Sequence, residues 1–133
     1  ASARPVIITP HEGEFMRLGY SAGNDRIGVS RSFAREHGCI LVLKGHRTIC
    51  AFPDGSAYVN TTGNPGMARG GSGDVLSGII LSLIARLPTK EAVLAAVWLH
   101  GRSGDIAADR FGEECMTPSD IIACLPEAFR EIT

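Results

Sequence analysis

The segment NTTGNPGMARGGSGDVLSGII at residues 60–80 contains six of the 16 glycines in this chain. Its last glycines stand immediately before an apolar run that opens with Asp74. Glycine permits positive φ and lets successive backbone N–H groups turn toward one point, and a helix N-terminus adds about half a positive charge there. The segment therefore predicts an anion site that can hold a phosphoryl group. The residues of this site are Gly70, Gly71, Ser72 and Gly73.

Asp74 is the residue that decides between two interpretations of this loop. A carboxylate beside an anion site opposes phosphate binding unless it serves the reaction, for example as a base that deprotonates a substrate hydroxyl. The alternative is that Asp74 caps the helix and the glycines form a tight turn. The loop matches neither GxGxxG nor GxxxxGK[ST], because Ser72 stands where the lysine of the second motif belongs.

The first half of the chain predicts a parallel crossover. PVIIT at residues 5–9 and CILVL at residues 39–43 are continuous apolar runs, typical of strands covered on both faces. The pattern of residues 24–37 predicts a helix, and Gly38 is a suitable C-terminal cap. A connection of this length between buried strands favours a parallel, right-handed arrangement.

The remaining elements are a hairpin followed by helices. PDGS at residues 53–56 predicts a turn between the β-prone runs RTICAF and AYVN. The apolar run after Asp74 predicts a deeply buried helix. Thr89 is expected to cap a helix that ends near Asp109, and Thr117 with Pro118 to begin a last helix ending near Ile132.

Composition narrows the class of partner to small molecules. The 133 residues carry a net charge of -1, with 44% hydrophobic and 20% charged residues, so neither nucleic-acid binding nor disorder is indicated. No run reaches the roughly 18 residues of a membrane span, and no signal peptide is recognisable, which favours the cytosol. The histidines and cysteines lack zinc-site spacing. We expect four buried, unpaired thiols, namely Cys39, Cys50, Cys115 and Cys124.

The motifs TPHEGEF, LVLKGHRTI and NTTGNPGMARGGSGD, in this order, resemble the ribokinase-like superfamily and most closely the ADP-dependent NAD(P)H-hydrate dehydratases. WLHGRSGDIAA and PSDIIACLP extend the resemblance over essentially the whole chain. It implies the C-terminal half of a three-layer α/β/α domain with a mostly parallel sheet, a β-hairpin and C-terminal helices. Residues 1–133 would then be a partial domain whose N-terminal half is missing. A sheet this small would leave apolar surface exposed, so we also expect self-association into a homo-oligomer.

The resemblance also implies site residues. Asp74 would be the catalytic base that also contacts the substrate, residues 70–73 the anion hole, and Gly73 a nucleotide contact. His11 would contact the hydrated nicotinamide, and Glu14 would help hold Mg²⁺ through water. Arg69 stands where a small polar residue is expected, either as a spectator or as a phosphate contact. The adenine nucleotide would be lined by Lys44, Gly45, His46, Arg47 and Thr48.

These implied roles have plainer alternatives. Without the resemblance, His11 could simply be a polar loop residue, and Glu14 a carboxylate that complements a helix dipole. Lys44 and Arg47 alone would most often be solvated charges that flank a turn. Asp105 in GRSGD is expected to be structural, packing or capping the helix behind the loop.

The implied reaction is repair of hydrated NADH or NADPH. Hydroxide is a poor leaving group, so the ring hydroxyl would be phosphorylated by ADP or ATP with Mg²⁺ before phosphate is expelled. The runner-up is a small-molecule kinase of the same superfamily, acting on a sugar, hydroxymethylpyrimidine or thiazole alcohol. A third interpretation is an inactive nucleotide-sensing module. An epimerase domain upstream in the full protein is left open.

Overall fold

A computed structural model describes residues 5–21 and 23–133 of the chain. The described residues form two compact units, of which the first ends at Asn60 and the second spans Thr61–Thr133.

The first unit is a four-stranded sheet with two helices. Its elements are β1 (Ile7–Ile8), α1 (Glu12–Arg17), α2 (Arg26–His37), β2 (Ile40–Leu43), β3 (Ile49–Ala51) and β4 (Ala57–Val59). The sheet order is β1-β2-β3-β4, with β1 and β2 parallel and the other two pairings antiparallel. The predicted strand, helix and parallel strand, and the predicted hairpin, are therefore confirmed. Of the mostly parallel sheet expected for the whole domain, the described residues contain one parallel pairing beside two antiparallel ones.

Helix α2 begins and ends at the residues that the local chemistry favours. The Asp25 side chain accepts a hydrogen bond from the N–H of Gly28 at 3.0 Å, so the helix begins two residues later than residue 24. Gly38 follows in the left-handed conformation with φ 60°, which confirms the predicted C-terminal cap. Its buried face contributes Phe33 and Ala34 to a core that also contains Phe15.

The two apolar strands differ in burial, which corrects one expectation. All four residues of β2 are buried, whereas Ile7 and Ile8 of β1 are only half-buried and Val6 is 60% exposed. Within residues 5–21 and 23–133, β1 has one sheet neighbour and lies at the edge of the sheet. The prediction that residues 5–9 are covered on both faces is therefore not met in this chain.

The second unit consists of three packed helices, α3 (Ser72–Ile84), α4 (Thr89–Phe111) and α5 (Pro118–Ile132), preceded by a short 3₁₀ turn at Pro65–Met67. Helix α5 begins as predicted. Oγ1 of Thr117 accepts from the N–H of Asp120 at 3.3 Å, and Oδ2 of Asp120 accepts from the N–H of Thr117 at 2.8 Å.

Other helix predictions need correction. Helix α3 is not deeply buried, because it buries one stripe that includes Leu76 and Leu83 and leaves Leu81 74% exposed. Thr89 is the first residue of α4 and does not cap it; Pro88 precedes it and makes no capping side-chain bond. Helix α4 also continues two residues beyond Asp109 before Gly112 ends it.

Three of the four cysteines are buried and Cys115 is exposed, so the expectation of four buried thiols is wrong at one position. Cys115 lies in the segment between α4 and α5, next to Met116, which is buried. Burial raises the pKa of Cys50 to about 12 and also raises the pKa of Cys39. None of the helices in the described part of the chain is both long and apolar enough to cross a bilayer.

Candidate active site

The glycine loop ends in a helix N-terminus with unused donors. Gly71 precedes α3 in the left-handed conformation with φ 94°, and no side chain caps the helix. Within the described residues, the N–H groups of Gly70, Gly71 and Gly73 make no hydrogen bond, whereas the N–H of Ser72 donates to the carbonyl of Arg69 at 3.2 Å. The loop therefore presents glycine N–H groups at the positive end of the α3 dipole.

Asp74 is the third residue of α3 and is exposed. Its carboxylate makes no hydrogen bond or ion pair within the part of the chain that the structure describes. A capping aspartate would accept a hydrogen bond from a backbone N–H of the first turn, and Asp74 does not. The carboxylate is therefore available beside the unused N–H groups, as a base acting on a bound hydroxyl requires.

Ser72 differs from its glycine neighbours because its side chain is buried. Oγ of Ser72 lies 3.2 Å from Nε2 of His100, a buried residue in the middle of α4. This pair attaches the start of α3 to its neighbouring helix. No role for His100 was predicted from the sequence, although its place directly between Leu99 and Gly101 could have indicated a buried polar contact.

The first half of the loop is fixed by Asp105 of α4. Oδ2 of Asp105 accepts from the N–H of Gly63 at 3.0 Å, and Oδ1 accepts from Nδ2 of Asn64 at 2.9 Å. Oδ1 of Asn64 in turn accepts from the N–H of Gly66 at 3.0 Å. Asp105 therefore has the structural role predicted for it, although it fixes the loop and does not cap a helix.

Two glycines of α4 allow the loop to approach this helix closely. A Cβ atom on Gly101 would lie 2.7 Å from the carbonyl carbon of Thr62, and one on Gly104 would lie 2.6 Å from Cε of Met67. Oγ1 of Thr62 also donates to the carbonyl of Trp98 at 3.0 Å. The absence of a side chain at Gly101 and Gly104 thus lets the loop pack closely against α4.

Arg69 is held by backbone carbonyls after α4. Its Nη2 donates to the carbonyl of Glu114 and lies 3.5 Å from that of Glu113. In this structure Arg69 therefore ties the loop to the segment between α4 and α5.

In the first unit, the carboxyl ends of the parallel strands bring His11 and Lys44 together. The N–H of Lys44 donates to the carbonyl of Pro10 at 2.9 Å, and His11 and Lys44 form an isolated parallel bridge. Open α/β sheets commonly bind ligands at such strand ends. His11 and Lys44, two predicted site residues that are 33 positions apart in the sequence, thus lie at the same edge of the sheet.

His11 and Glu14 form a reciprocal cap at the start of α1. Nδ1 of His11 accepts from the N–H of Glu14 at 3.1 Å, and Oε1 of Glu14 accepts from the N–H of His11 at 3.0 Å. The hydrogen bond from the backbone N–H of His11, followed by the nearby charges of Lys44 and Arg17, holds the pKa of Glu14 below its ordinary value. Glu14 is therefore an ionised, exposed carboxylate at the strand ends.

The run from Lys44 to Thr48 forms the connection between β2 and β3. Arg47 adopts φ 59°, which is rare outside glycine, and Gly45 adopts φ 156°. Oγ1 of Thr48 donates to the carbonyl of Gly45 at 3.3 Å, which closes the loop on itself. His46 and Arg47 are exposed, so the loop is open to a ligand.

The predicted site residues therefore form two groups, one in each compact unit. His11, Glu14 and Lys44 meet at the strand ends of the first unit. The glycine loop and Asp74 form the second group, at the start of α3.

Comparison with known families and relatives identifies the family of this chain. The NAD(P)H-hydrate dehydratase family profile matches residues 1–127. A bifunctional NAD(P)H-hydrate repair enzyme of Moorella thermoacetica is 46% identical over 134 residues, covering 96% of this chain and 25% of the relative. An ADP-dependent (S)-NAD(P)H-hydrate dehydratase of Bacillus subtilis is 37% identical over 131 residues, covering 95% of this chain and 48% of the relative.

Solved structures give the same result for the fold. A Bacillus subtilis ADP/ATP-dependent NAD(P)H-hydrate dehydratase co-crystallised with ATP/Mg²⁺ superimposes with a TM-score of 0.93 at 36% identity, over 97% of this chain and 48% of that one. A ribokinase-like superfamily protein of Enterococcus faecalis gives a TM-score of 0.82 at 37% identity, over 95% of this chain and 44% of that one. The predicted ribokinase-like α/β fold is confirmed, and the chain spans a quarter to a half of its relatives' length.

Proposed function

Since this chain belongs to the NAD(P)H-hydrate dehydratase family, we propose that the full protein containing it dehydrates hydrated NADH and NADPH at the expense of ADP or ATP. One observation carries the chemical part of the proposal. The carboxylate of Asp74 has no partner among the described residues and lies in the first turn of a helix that is preceded by unused glycine N–H groups. A base and an anion site side by side are what phosphoryl transfer to a hydroxyl requires.

In the first step Asp74 removes the proton of the ring hydroxyl, whose oxygen then bonds to the terminal phosphorus of the nucleotide. The P–O bond to the rest of the nucleotide breaks, and its electrons stay on the departing nucleotide oxygen. Negative charge develops on the transferred group, where the N–H groups of Gly70, Gly71 and Gly73 are proposed to donate. The N–H of Ser72 is already bonded to Arg69, so we assign Ser72 to fixing the loop.

In the second step the phosphate leaves with the electrons of the C–O bond, and a proton is lost from the adjacent ring carbon. The ring double bond of the reduced nicotinamide is thereby restored. Phosphate is a far better leaving group than hydroxide, which is why a dehydratase would use a kinase-like site.

The strand ends of the first unit are proposed to hold the rest of the reactants. We assign Lys44, Gly45, His46, Arg47 and Thr48 to the adenine nucleotide, and the exposed imidazole of His11 to the hydrated nicotinamide. Both ring nitrogens of His11 lie near Glu14, because Nδ1 accepts from its N–H at 3.1 Å and Nε2 is 3.4 Å from its Oε1. Gly73 is assigned to both the anion hole and the nucleotide.

Mg²⁺ fits this proposal through Glu14. No group of three His, Cys, Asp or Glu side chains suited to a metal is found among residues 5–21 and 23–133. Magnesium usually binds through one or two carboxylates, waters and substrate phosphates, and Glu14 is an exposed carboxylate whose lowered pKa keeps it ionised. When bound, the ion would neutralise charge on the phosphates.

The test is recovery of the near-ultraviolet absorbance of NADH. The full protein is incubated with NADH hydrate, Mg²⁺ and ADP or ATP, and absorbance and nucleotide consumption are followed together. We expect the band to return with about one nucleotide spent per NADH formed, as phosphorylation followed by elimination requires. Phosphorylation of a sugar or pyrimidine alcohol without recovery of the band would establish a kinase instead. Nucleotide binding without any turnover would establish a nucleotide-sensing module.

Three further features of the full protein remain proposals. The name "bifunctional" of the Moorella relative supports a second catalytic domain, for which we propose an epimerase. Strand β1 is half-buried and lies at the sheet edge within the described residues, which supports the proposal of self-association into a homo-oligomer. The proposed substrates are nicotinamide cofactors of central metabolism, which supports a cytosolic location.

A further inference from the structure

Arg26, the first residue of α2, connects three separate segments of the first unit. Its Nη1 donates to the carbonyls of His46 at 3.1 Å and Arg47 at 3.0 Å. Its Nε donates to Oε1 of Glu12 at 2.5 Å, in the first turn of α1. One guanidinium thus joins the starts of two helices to the loop between β2 and β3.

We propose that Arg26 is a positioning residue for the nucleotide, holding the loop so that the N–H groups of Arg47 and Thr48 face the ligand. This inference rests on the proposed function, because it takes the nucleotide site to be the run from Lys44 to Thr48. Arg26 itself is assigned no contact with the nucleotide.

The geometry of the peptide group supports this assignment. In a trans peptide the N–H points away from the carbonyl of the preceding residue. Since the carbonyls of His46 and Arg47 are turned toward Arg26, the N–H groups of Arg47 and Thr48 point away from it. Neither N–H group makes a hydrogen bond within the described residues. The loop therefore carries two adjacent, oriented donors for acceptor atoms of a nucleotide.

The loop conformation needs such an external restraint. Arg47 is held at φ 59°, where a non-glycine residue is disfavoured by about 1 kcal/mol or more. The two carbonyls that accept hydrogen bonds from Arg26 flank the Cα of this strained residue. Releasing them would let Arg47 return to a more populated conformation and would turn the two N–H groups away.

Lysine cannot replace arginine here. The contacts with Glu12 and with the loop carbonyls use different nitrogens of the planar guanidinium, which a single ammonium cannot reproduce. Nη2, moreover, is buried without a partner in the described residues, and a Cβ atom on Gly45 would lie 3.4 Å from it. The backbone at Gly45 therefore lies close to the guanidinium.

The experiment compares Arg26→Gln with Arg31→Gln in the full protein. Arg31 is a matched control, because it lies on the same helix and its Nε donates to a backbone carbonyl of another loop, that of Gly55, at 2.7 Å. We expect Arg26→Gln to raise both the Kd of ADP and the KM for nucleotide by about 10-fold, the loss typical of hydrogen bonds to a charged group, while kcat changes by less than about 3-fold. Arg31→Gln should leave both constants within about 2-fold.

Arg26→Lys keeps the charge and provides a second variant if Arg26→Gln does not fold. If Arg26 positions the loop, Arg26→Lys should show the same rise in KM as Arg26→Gln. A wild-type KM in Arg26→Lys would mean that only the charge matters, which would overturn the proposal. An unchanged KM in a folded Arg26→Gln protein would also overturn it. If the wild-type protein itself neither binds nucleotide nor restores NADH, the proposed function fails and this inference fails with it. That outcome differs from a failure of the inference alone, in which the wild-type protein is active and Arg26→Gln has an unchanged KM.

Discussion

Oγ of Ser72 and Nε2 of His100 lie 3.2 Å apart, although the two residues are 28 positions apart in the chain. Both side chains are buried. Ser72 is the only non-glycine residue among positions 70–73, within a loop proposed to bind phosphate. Its hydroxyl is turned toward α4, so Ser72 anchors the loop to that helix. The proposed phosphate contacts are therefore assigned to the backbone N–H groups of the neighbouring glycines.

Ser72→Ala should therefore cost stability with little effect on catalysis. Removing a buried hydrogen bond is expected to lower the free energy of unfolding by about 0.5–1.5 kcal/mol, while the backbone N–H groups remain in place. Urea unfolding measures the first quantity, and the catalytic efficiency of NADH-hydrate dehydration, kcat/KM, measures the second. If catalytic efficiency fell by about 100-fold without a change in stability, the hydroxyl would be a substrate contact, which would contradict this assignment.

Asp74→Asn should abolish most turnover and leave nucleotide binding intact. Loss of a general base typically costs about 100-fold or more in rate, whereas the amide retains the size of the carboxylate. The readouts are kcat for NADH recovery and the Kd of ADP.

Glu91→Gln provides the matched control for Asp74→Asn. Glu91 is likewise an exposed carboxylate at the third position of a helix, α4, in the same compact unit. Both substitutions remove a favourable interaction with a helix dipole, worth about 0.3–1 kcal/mol, but only Asp74→Asn should reduce turnover. Turnover of Asp74→Asn within a few-fold of wild type would return Asp74 to a purely helical role.

Alanine at the two glycines of α4 should have unequal effects. In a helix interior Gly→Ala ordinarily gains about 1 kcal/mol, but at Gly101 the new Cβ would meet the backbone of Thr62 at 2.7 Å. We expect Gly101→Ala to destabilise the protein by about 1–3 kcal/mol through overpacking.

At Gly104 the atoms in the way belong to the flexible side chain of Met67, which can move. Gly104→Ala should therefore cost clearly less than Gly101→Ala. Urea unfolding of the two variants gives the comparison, and equal destabilisation would show that the loop does not pack on α4 as described.

Glu14 should contribute stability at neutral pH that disappears in acid. Its pKa in the folded state lies below the ordinary value of 4.5, chiefly because its carboxylate accepts the backbone N–H of His11. Folding therefore favours the ionised form. The contribution is present above the unfolded-state pKa and is lost as the pH falls through the lowered folded-state pKa.

Glu14→Gln should accordingly lower the urea midpoint at about pH 7 and have a smaller effect at about pH 3. Glu36→Gln is the control, because Glu36 is exposed on α2 and makes no hydrogen bond or ion pair among the described residues. Its effect on the urea midpoint should be small. A Glu14→Gln effect that grows on acidification would contradict the sign argued here.

The sequence alone determined the features that depend on near neighbours in the chain. Gly38 ends α2, Thr117 with Pro118 begins α5, and PDGS turns the hairpin, because each effect acts within a few residues. The glycine loop before Asp74 was recognisable for the same reason. The family resemblance then supplied roles for His11, Glu14 and the run from Lys44 to Thr48 that spacing alone left open.

Tertiary structure decided which groups are available for chemistry, because this depends on partners distant in the chain. The hydroxyl of Ser72 pairs with His100, whereas the carboxylate of Asp74, two positions later, has no partner in the described residues. The orientation of the loop at Arg47 depends on Arg26, which is 21 positions away. The sequence pattern also could not show that Leu81 and Cys115 are exposed. The exposure of an apolar or sulfur side chain depends on which other elements pack against it.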